Sequence, residues 1–516
     1  VTGHHPQRVA LGRRGVVATA HFRASEAGAA MFAAGGNAVD AAVAAALALG
    51  VCEPAASGLG GQTMMLLHVP GHRTVAVDGS SRAPNRTPPA ELGKEERLRG
   101  HRATTVPSTP AVLAYVQERF GALSWREVLA PAIELCEAGY EVTALQRRLT
   151  ERELKHLRAG SAGRFFLKAG RDPYEVGEVL RQPVLARTLR RLAMHGVDDF
   201  YLGETAAAIV ADMDANGGLL QLDDLAQIPR PVERRPVSGR FEGMRVFSMP
   251  PPGAGRALLH ILKLLEQFPE KRRRADSADG ALVLAEIVRR AMLDRHDRPF
   301  DPNFFQQVQD RRLLDDDYAR MVARQVRSRV RTSGETTHLS AMDSDGCAVA
   351  LTQSIERVYG SFAASPALGF LYNNYMSAFE HSDISHPYFL RPNAVPWASV
   401  APTIVVQGKR PRIALGSPGS ERIVSAVAQV LDRVRSQSLM DAISAPRLHT
   451  SLTGQVTLEA SRMRSDIPAA LRKRGFGVRE VEPFSFYLGC VQAVARERDG
   501  LVGVADLRRD GAAVGA

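Results

Sequence analysis

Two adjacent threonines, Thr336 and Thr337, stand between a polar, basic stretch without apolar periodicity (326–335) and a strand-like run (338–342) that an Asp345-Gly346 turn follows. If the Glu335–Thr336 bond were cut, Thr336 would begin a new chain and carry a hydroxyl and a free α-amine on one residue. A threonine hydroxyl is a weak nucleophile unless a base lies within hydrogen-bond reach. An α-amine has a reference pKa of about 7.7–8.0, so part of it is neutral near pH 7. It can take the hydroxyl proton and later hand one to a leaving amine. In an uncut chain the same nitrogen is an amide and no base. The plainer reading is that two threonines simply open a β-strand.

Acyl chemistry also needs donors for the negative charge that develops on the carbonyl oxygen. Gly416-Ser-Pro-Gly-Ser420 runs into an amphipathic helix expected over 420–434. The N–H groups of Gly419 and Ser420 would then lie at a helix start, without intrahelical acceptors and free to bind an oxyanion. Taken alone, such a loop is also an ordinary helix start. His338 is a tempting second base, but a strand histidine facing the layer behind is the simpler expectation. His296, in Asp294-Arg-His-Asp297, has the residue types of a metal ligand but no partner cluster, so no metal is expected, and no cofactor.

The elements that must position these groups follow from composition and pattern. The chain has 516 residues, 45% hydrophobic and 23% charged, which is the make-up of a globular protein with a sizeable core. Its formal charge of +11 raises nucleic acid or a membrane surface as partners. The basic residues are scattered, and the densest run, Lys271-Arg-Arg-Arg274, reads as a solvated loop or helix face; neither nucleic acid nor membrane is expected. The four cysteines are widely spaced, without a Cys-x-x-Cys pair, and read as buried apolar fillers rather than a disulfide framework. The first fourteen residues lack an apolar targeting core, so a cytoplasmic location is expected. The longest apolar run, 41–52, is too short to span a bilayer and suits a buried helix.

Along the chain, Gly15–Ala20 reads as a buried strand. A small-residue helix over 24–34 stops at Gly35-Gly36, and Asn37 caps a second, alanine-rich helix to about residue 51. Gly58-Leu-Gly-Gly61 precedes a strand at 64–68. Helical periodicity dominates 124–330, in segments such as 125–138, 183–195, 205–216 and 282–294. After Thr336 the character is β: hairpins are expected over 339–351, 402–415 and 491–505. The class is α+β.

The combination resembles the gamma-glutamyltranspeptidase family of N-terminal nucleophile hydrolases. The matching residues are Gly35-Gly-Asn-Ala-Val-Asp-Ala-Ala42, Ser57-Gly-Leu-Gly-Gly61, Thr336-Thr-His-Leu-Ser340 with Asp345-Gly346, Leu371-Tyr-Asn-Asn374, Ala401-Pro-Thr-Ile-Val405 and Gly416-Ser-Pro-Gly419, in family order over nearly the whole chain. The resemblance implies a four-layer αββα sandwich made as a precursor. Thr336 would attack the carbonyl of Glu335 and release a large segment, 1–335, and a small one, 336–516, that stay together as one intertwined unit. A homodimer of such processed heterodimers is left open. The partner is a small-molecule amide, whose acyl group forms an ester on Thr336. Ser354, in Thr352-Gln-Ser354, takes the place of the family's second hydroxyl, and Gly419 and Ser420 fall on its oxyanion pair.

At the acyl pocket the chain departs from the pattern. Ser80 falls where the family has a carboxylate-binding arginine, with Arg82 two residues on. Glu356, Tyr375 and Ala378 take the places of its amine partners, and of a serine pair only Ser399 remains, beside Ala398. A hydroxyl cannot replace a guanidinium fork. The substrate is therefore either a γ-glutamyl amide held by compensating residues or a different acyl amide, as in relatives resembling cephalosporin acylases or oxamate amidohydrolase. A third reading is an unprocessed, non-catalytic binding protein.

Overall fold

A computed structural model describes residues 7–71, 73–88, 92–227, 231–297 and 336–516. Glu335 and the polar stretch before it lie outside the described residues. The protein is α+β, built on two seven-stranded sheets whose strand pairs are all antiparallel. The first runs Ala512–Gly515, Gly15–Thr19, Thr337–Asp343, Ala348–Ser354, Gln62–His68, Thr74–Gly79, Val232–Arg234. The second runs Val9–Gly12, Gly500–Ala505, Gln492–Glu497, Arg410–Gly416, Thr403–Gln407, Met244–Ser248, Val237–Phe241. Each sheet draws strands from both sides of Thr336.

Period-two alternation along the strands assigns their faces. Val16, Ala18, Met64, Leu66, Met342 and Ala350 of the first sheet share one buried cluster with Ile404, Ala414 and Val494 of the second. Their neighbours Val17, Met65, Leu339 and Leu351 turn the other way, into a core with the helices Phe22–Ala33, Ala38–Cys52, Trp125–Ala138 and Pro183–His195. On the far face of the second sheet, Val405, Ile413 and Leu415 pack against Gly255–Leu265, Ala278–Asp297 and Arg422–Arg433.

The small-residue helix pair has the expected origin. Asn37 caps Ala38–Cys52, its side chain accepting from the N–H groups of Val39 and Asp40, while the Asp40 carboxylate accepts from the Asn37 N–H at 2.7 Å. This is a reciprocal capping box. Asp40 also accepts from the N–H of Leu123 at 2.9 Å, tying the cap to a distant loop. The helices pack so closely that a Cβ on Gly28 would come within 2.8 Å of the Ala41 carbonyl oxygen.

Two expectations need correction. The stretch 124–330 is not helical throughout: the strands Val232–Arg234, Val237–Phe241 and Met244–Ser248 lie within it. Their signal was short-range alternation, with Met244, Val246 and Ser248 buried and Arg245 exposed, hidden by the many arginines. The Lys271–Arg274 run is not wholly solvated either. Arg273 and Arg274 are buried and grip Asp432, through Nε–Oδ1 at 2.8 Å and Nε–Oδ2 at 2.9 Å. A shared carboxylate offsets the desolvation of two guanidiniums, and sequence reading could not see it across more than 150 residues. All four cysteines are free and buried. Among the described residues no helix is long and apolar enough to cross a membrane.

Candidate active site

The site forms at one end of the seam between the sheets. In the first sheet Thr337 pairs with Gln353, and the register carried one residue on sets Thr336 opposite Ser354. Both have the parity of residues facing the second sheet, His338 and Met342 on one strand and Ala350 and Thr352 on the other. Thr336 is 5% exposed. Behind it the hydroxyl of Thr337 donates to Glu53, which is paired with Arg509, so the strand start is tied to two other elements.

His338 is fully buried between the sheets, with Nδ1 2.8 Å from the Thr352 hydroxyl and Nε2 3.0 Å from that of Ser340. Burial pushes its imidazole down to about 3, so it stays neutral. It is a structural residue of the seam.

Gly416 ends the strand Arg410–Gly416 and opens the loop to the helix Arg422–Arg433, which begins two residues later than the sequence suggested. Gly419 and Ser420 take φ of +120° and +55°, a tight left-handed turn ahead of the helix. For a serine this conformation is sparsely populated and strained. Neither N–H finds an acceptor among the described residues. Unmatched donors of this kind are rare inside proteins.

Thr336, Glu356, Tyr375, Ser399 and Ser420 line one cavity of about 250 Å³. Ser354 lies immediately behind it: its hydroxyl accepts from the N–H of Glu356 at 2.8 Å. Glu356 adopts φ of +77°, which turns the chain sharply after the strand. Burial pushes its carboxyl up to about 7, against the opposing pull of Arg357. Tyr375 is 2% exposed, and burial, then the Glu356 charge, drive its phenol far above the ordinary value.

Ser80 and Arg82 do not line this cavity. Ser80 donates to Asp78 at 2.6 Å, and Arg82 reaches the backbone carbonyl of Asn393 at 3.1 Å. The arginines on the wall are instead Arg357 and, from the end of the helix Ala278–Asp297, Arg295. It lies 4.6 Å over the Trp397 ring, donates to the Ala398 carbonyl, and has no carboxylate within salt-bridge distance among the described residues. Arg295 was not among the candidates that the sequence offered. Its neighbour His296 lines the same cavity, as do Phe379, Tyr388 and Glu421. Arg295 is about 215 positions from Ser80, so no local pattern could have placed it on this wall.

A buried hydroxyl at a strand start, two N–H groups without acceptors and a half-polar cavity together are what acyl transfer asks of a site. A family model for gamma-glutamyltranspeptidase matches residues 24–516, and the chain belongs to that family. It is 33% identical over 480 residues to the glutathione hydrolase proenzyme of Escherichia coli K12, covering 86% of this chain and 82% of that one. It is 32% identical over 539 residues to the acylase ACY 1 proenzyme of Pseudomonas sp. strain V22, covering 98% and 94%. The crystal structure of a cephalosporin acylase from Bacillus halodurans superposes with a TM-score of 0.89 at 28% identity, covering 100% of this chain and 98% of that one.

Proposed function

We propose that this protein is a self-cleaving amide hydrolase or acyltransferase with Thr336 as both nucleophile and base. The chain would be cut at Glu335–Thr336 into segments 1–335 and 336–516 that remain one four-layer αββα unit of the N-terminal nucleophile type. The Thr336 hydroxyl oxygen then bonds to the acyl carbon of the substrate, and its proton passes to the α-amine. The charge on the carbonyl oxygen is held by the N–H groups of Gly419 and Ser420. The C–N bond breaks, and the amine leaves with the proton. Water or a second amine releases the acyl group from the ester and restores the hydroxyl. Ser354 steadies Thr336 across the ladder. The observation that carries this reading is that Thr336 and Ser420, the second residue of the acceptor-less 419–420 turn, line one cavity.

The relatives bear two kinds of name, glutathione hydrolase and acylase, so the acyl group is γ-glutamyl or related to it. Glu356 and Tyr375 face its amine end, Ser399 and Arg295 its carboxylate. The alternative, a non-glutamyl acyl group, draws its support from the wall of Phe379, Tyr388, Trp397, Ala378 and Ala398, which offers few polar contacts.

Denaturing electrophoresis tests processing: the 55.9 kDa chain should give bands of about 36 and 20 kDa in proportion to length. Thr336→Ala should stay a single band; two bands from it remove Thr336 from the mechanism. Intact-mass measurement after exposure to candidate amides, glutathione among them, then identifies the acyl group. A gain of about 129 Da on the small segment marks γ-glutamyl, and a different gain marks the acylase alternative.

A further inference from the structure

At two places in the site, consecutive residues face different cavities. Glu356 and Glu421 line the Thr336 cavity, while Arg357 and Arg422, the next residue in each case, line a neighbouring one of about 330 Å³. Arg357 borders both, so the two cavities share a wall. Arg99, Arg152 and Arg479 complete the second lining, on which Glu153 is the single carboxylate among the described residues.

The pairing inside this cavity is lopsided. Glu153 is taken by Arg152 at 2.9 Å, and Arg99 turns to Glu95 outside the lining. Arg357, Arg422 and Arg479 have no carboxylate within salt-bridge distance among the described residues, and the Nε of Arg422 is buried without an acceptor. Arg479 lies 5.4 Å over the Tyr487 ring, whose hydroxyl accepts from Arg152 at 3.1 Å. Gathering five guanidiniums around one carboxylate costs mutual repulsion, which an occupant with several negative charges would relieve. The volume is at the small end of ligand pockets, enough for a short peptide-sized group.

The position fixes which part of a substrate could reach it. Arg357 is common to both linings, and Arg422 stands two residues beyond Ser420 of the acyl cavity, so a group bound in the second cavity adjoins the reacting end of the first. We propose that the arginine-lined cavity holds the amine half of the substrate, and that this amine bears two or more anionic groups, carboxylates or phosphates. This rests on the acyl-transfer reading above, because it names the leaving or accepting partner of the same reaction. Arg422 stands one residue beyond the 419–420 turn, after Glu421, so an occupied anion site also bears on the loop that faces the reacting carbonyl.

Calorimetry on the processed protein with triglutamate, tripolyphosphate and neutral trialanine amide reads the site without turnover. Kinetics on amides of one acyl group, with triglutamate or trialanine amide as leaving amine, read it in the reaction. We expect triglutamate to bind in a salt-sensitive manner and trialanine amide not at all. Arg422→Gln/Arg479→Gln should weaken binding at least tenfold and lower the acidic-over-neutral ratio in kcat/KM by a similar factor. Arg357→Gln repeats the test from the shared wall should the double variant misfold, and Arg245→Gln, on a strand of the second sheet, serves as the control. Preference between triglutamate and tripolyphosphate tells carboxylate from phosphate, and either supports the site. Equal binding of acidic and neutral peptides, or a ratio untouched by these substitutions, overturns it. Arginine-dependent triglutamate binding without any acylation of Thr336 would instead sink the acyl-transfer reading and leave an anion site.

Discussion

The imidazole of His338 occupies the space that a side chain on Gly416 would need: a Cβ there would lie 2.3 Å from the ring. One residue belongs to the strand that starts at the proposed nucleophile, the other to the strand that leads to the proposed oxyanion turn. Their contact sets the spacing of the two sheets where the reaction would occur, and it is side chain against bare backbone.

Gly416→Ala should therefore spread the seam and cost roughly 1–3 kcal/mol, the range for overpacking a tight core. Denaturant unfolding would measure the loss. Activity should fall by more than stability does, since a misplacement of about 1 Å can cost about a hundredfold in rate. Full activity in a destabilised variant would separate the seam from the chemistry.

Ser420 acts through its N–H and not its hydroxyl. Ser420→Gly keeps the donor and removes the strain of φ +55°, so it should retain activity and gain stability of up to about 1 kcal/mol. Ser420→Pro deletes the donor and forbids the conformation; kcat should drop by about a hundredfold or more. A Ser420→Gly enzyme as damaged as the proline variant would show that the hydroxyl matters.

Glu356 makes a signed pH prediction. Its folded value of about 7 lies above the ordinary 4.5, so the folded state holds the proton more tightly. The protein should lose stability as pH rises from about 4.5 to about 7, and Glu356→Gln should remove that slope. For an acyl group carrying an ammonium, binding should improve as pH rises through the same window and Glu356 gains charge. A KM profile identical in Glu356→Gln would remove Glu356 from recognition.

Behind the site, Asp506 receives Arg447 at 2.7 Å and Arg508 at 3.0 Å, all three fully or nearly fully buried. Burial alone would raise the Asp506 value, but the two guanidiniums hold it below the ordinary carboxylate range. Its contribution is present above pH 3.8 and lost as pH falls further. Asp506→Asn strands the buried Arg447 and leaves Arg508 with Glu459 alone, and should cost about 3–5 kcal/mol in thermal or urea unfolding. A loss under 1 kcal/mol would show that water reaches the cluster.

Much of this was legible in the chain. Asn37 and Asp40 announce the helix cap, and the hairpins after Thr336 read directly from alternation and Asp-Gly turns. Thr336 and the 416–420 loop stood out because their chemistry is local: a hydroxyl beside its own amine, and N–H groups in a short turn. The residues proposed for recognition were less legible. Arg295 meets Trp397, and Arg422 shares a cavity with Arg479, only through tertiary packing, and Ser80 and Arg82 were candidates only because linear alignment placed them near a family position. The strand pair 237–248 failed for another reason, that arginines on an exposed face mask the alternation of the buried one.

In both sheets strands from before residue 336 bracket strands from after it: in the first, Gly15–Thr19 and Gln62–His68 clasp the hairpin Thr337–Ser354 on either side. Scission at 335–336 would thus change the connectivity of the molecule without giving it anything to shed. Covalent continuity at that bond is dispensable for cohesion, and the two fragments should denature in a single cooperative transition.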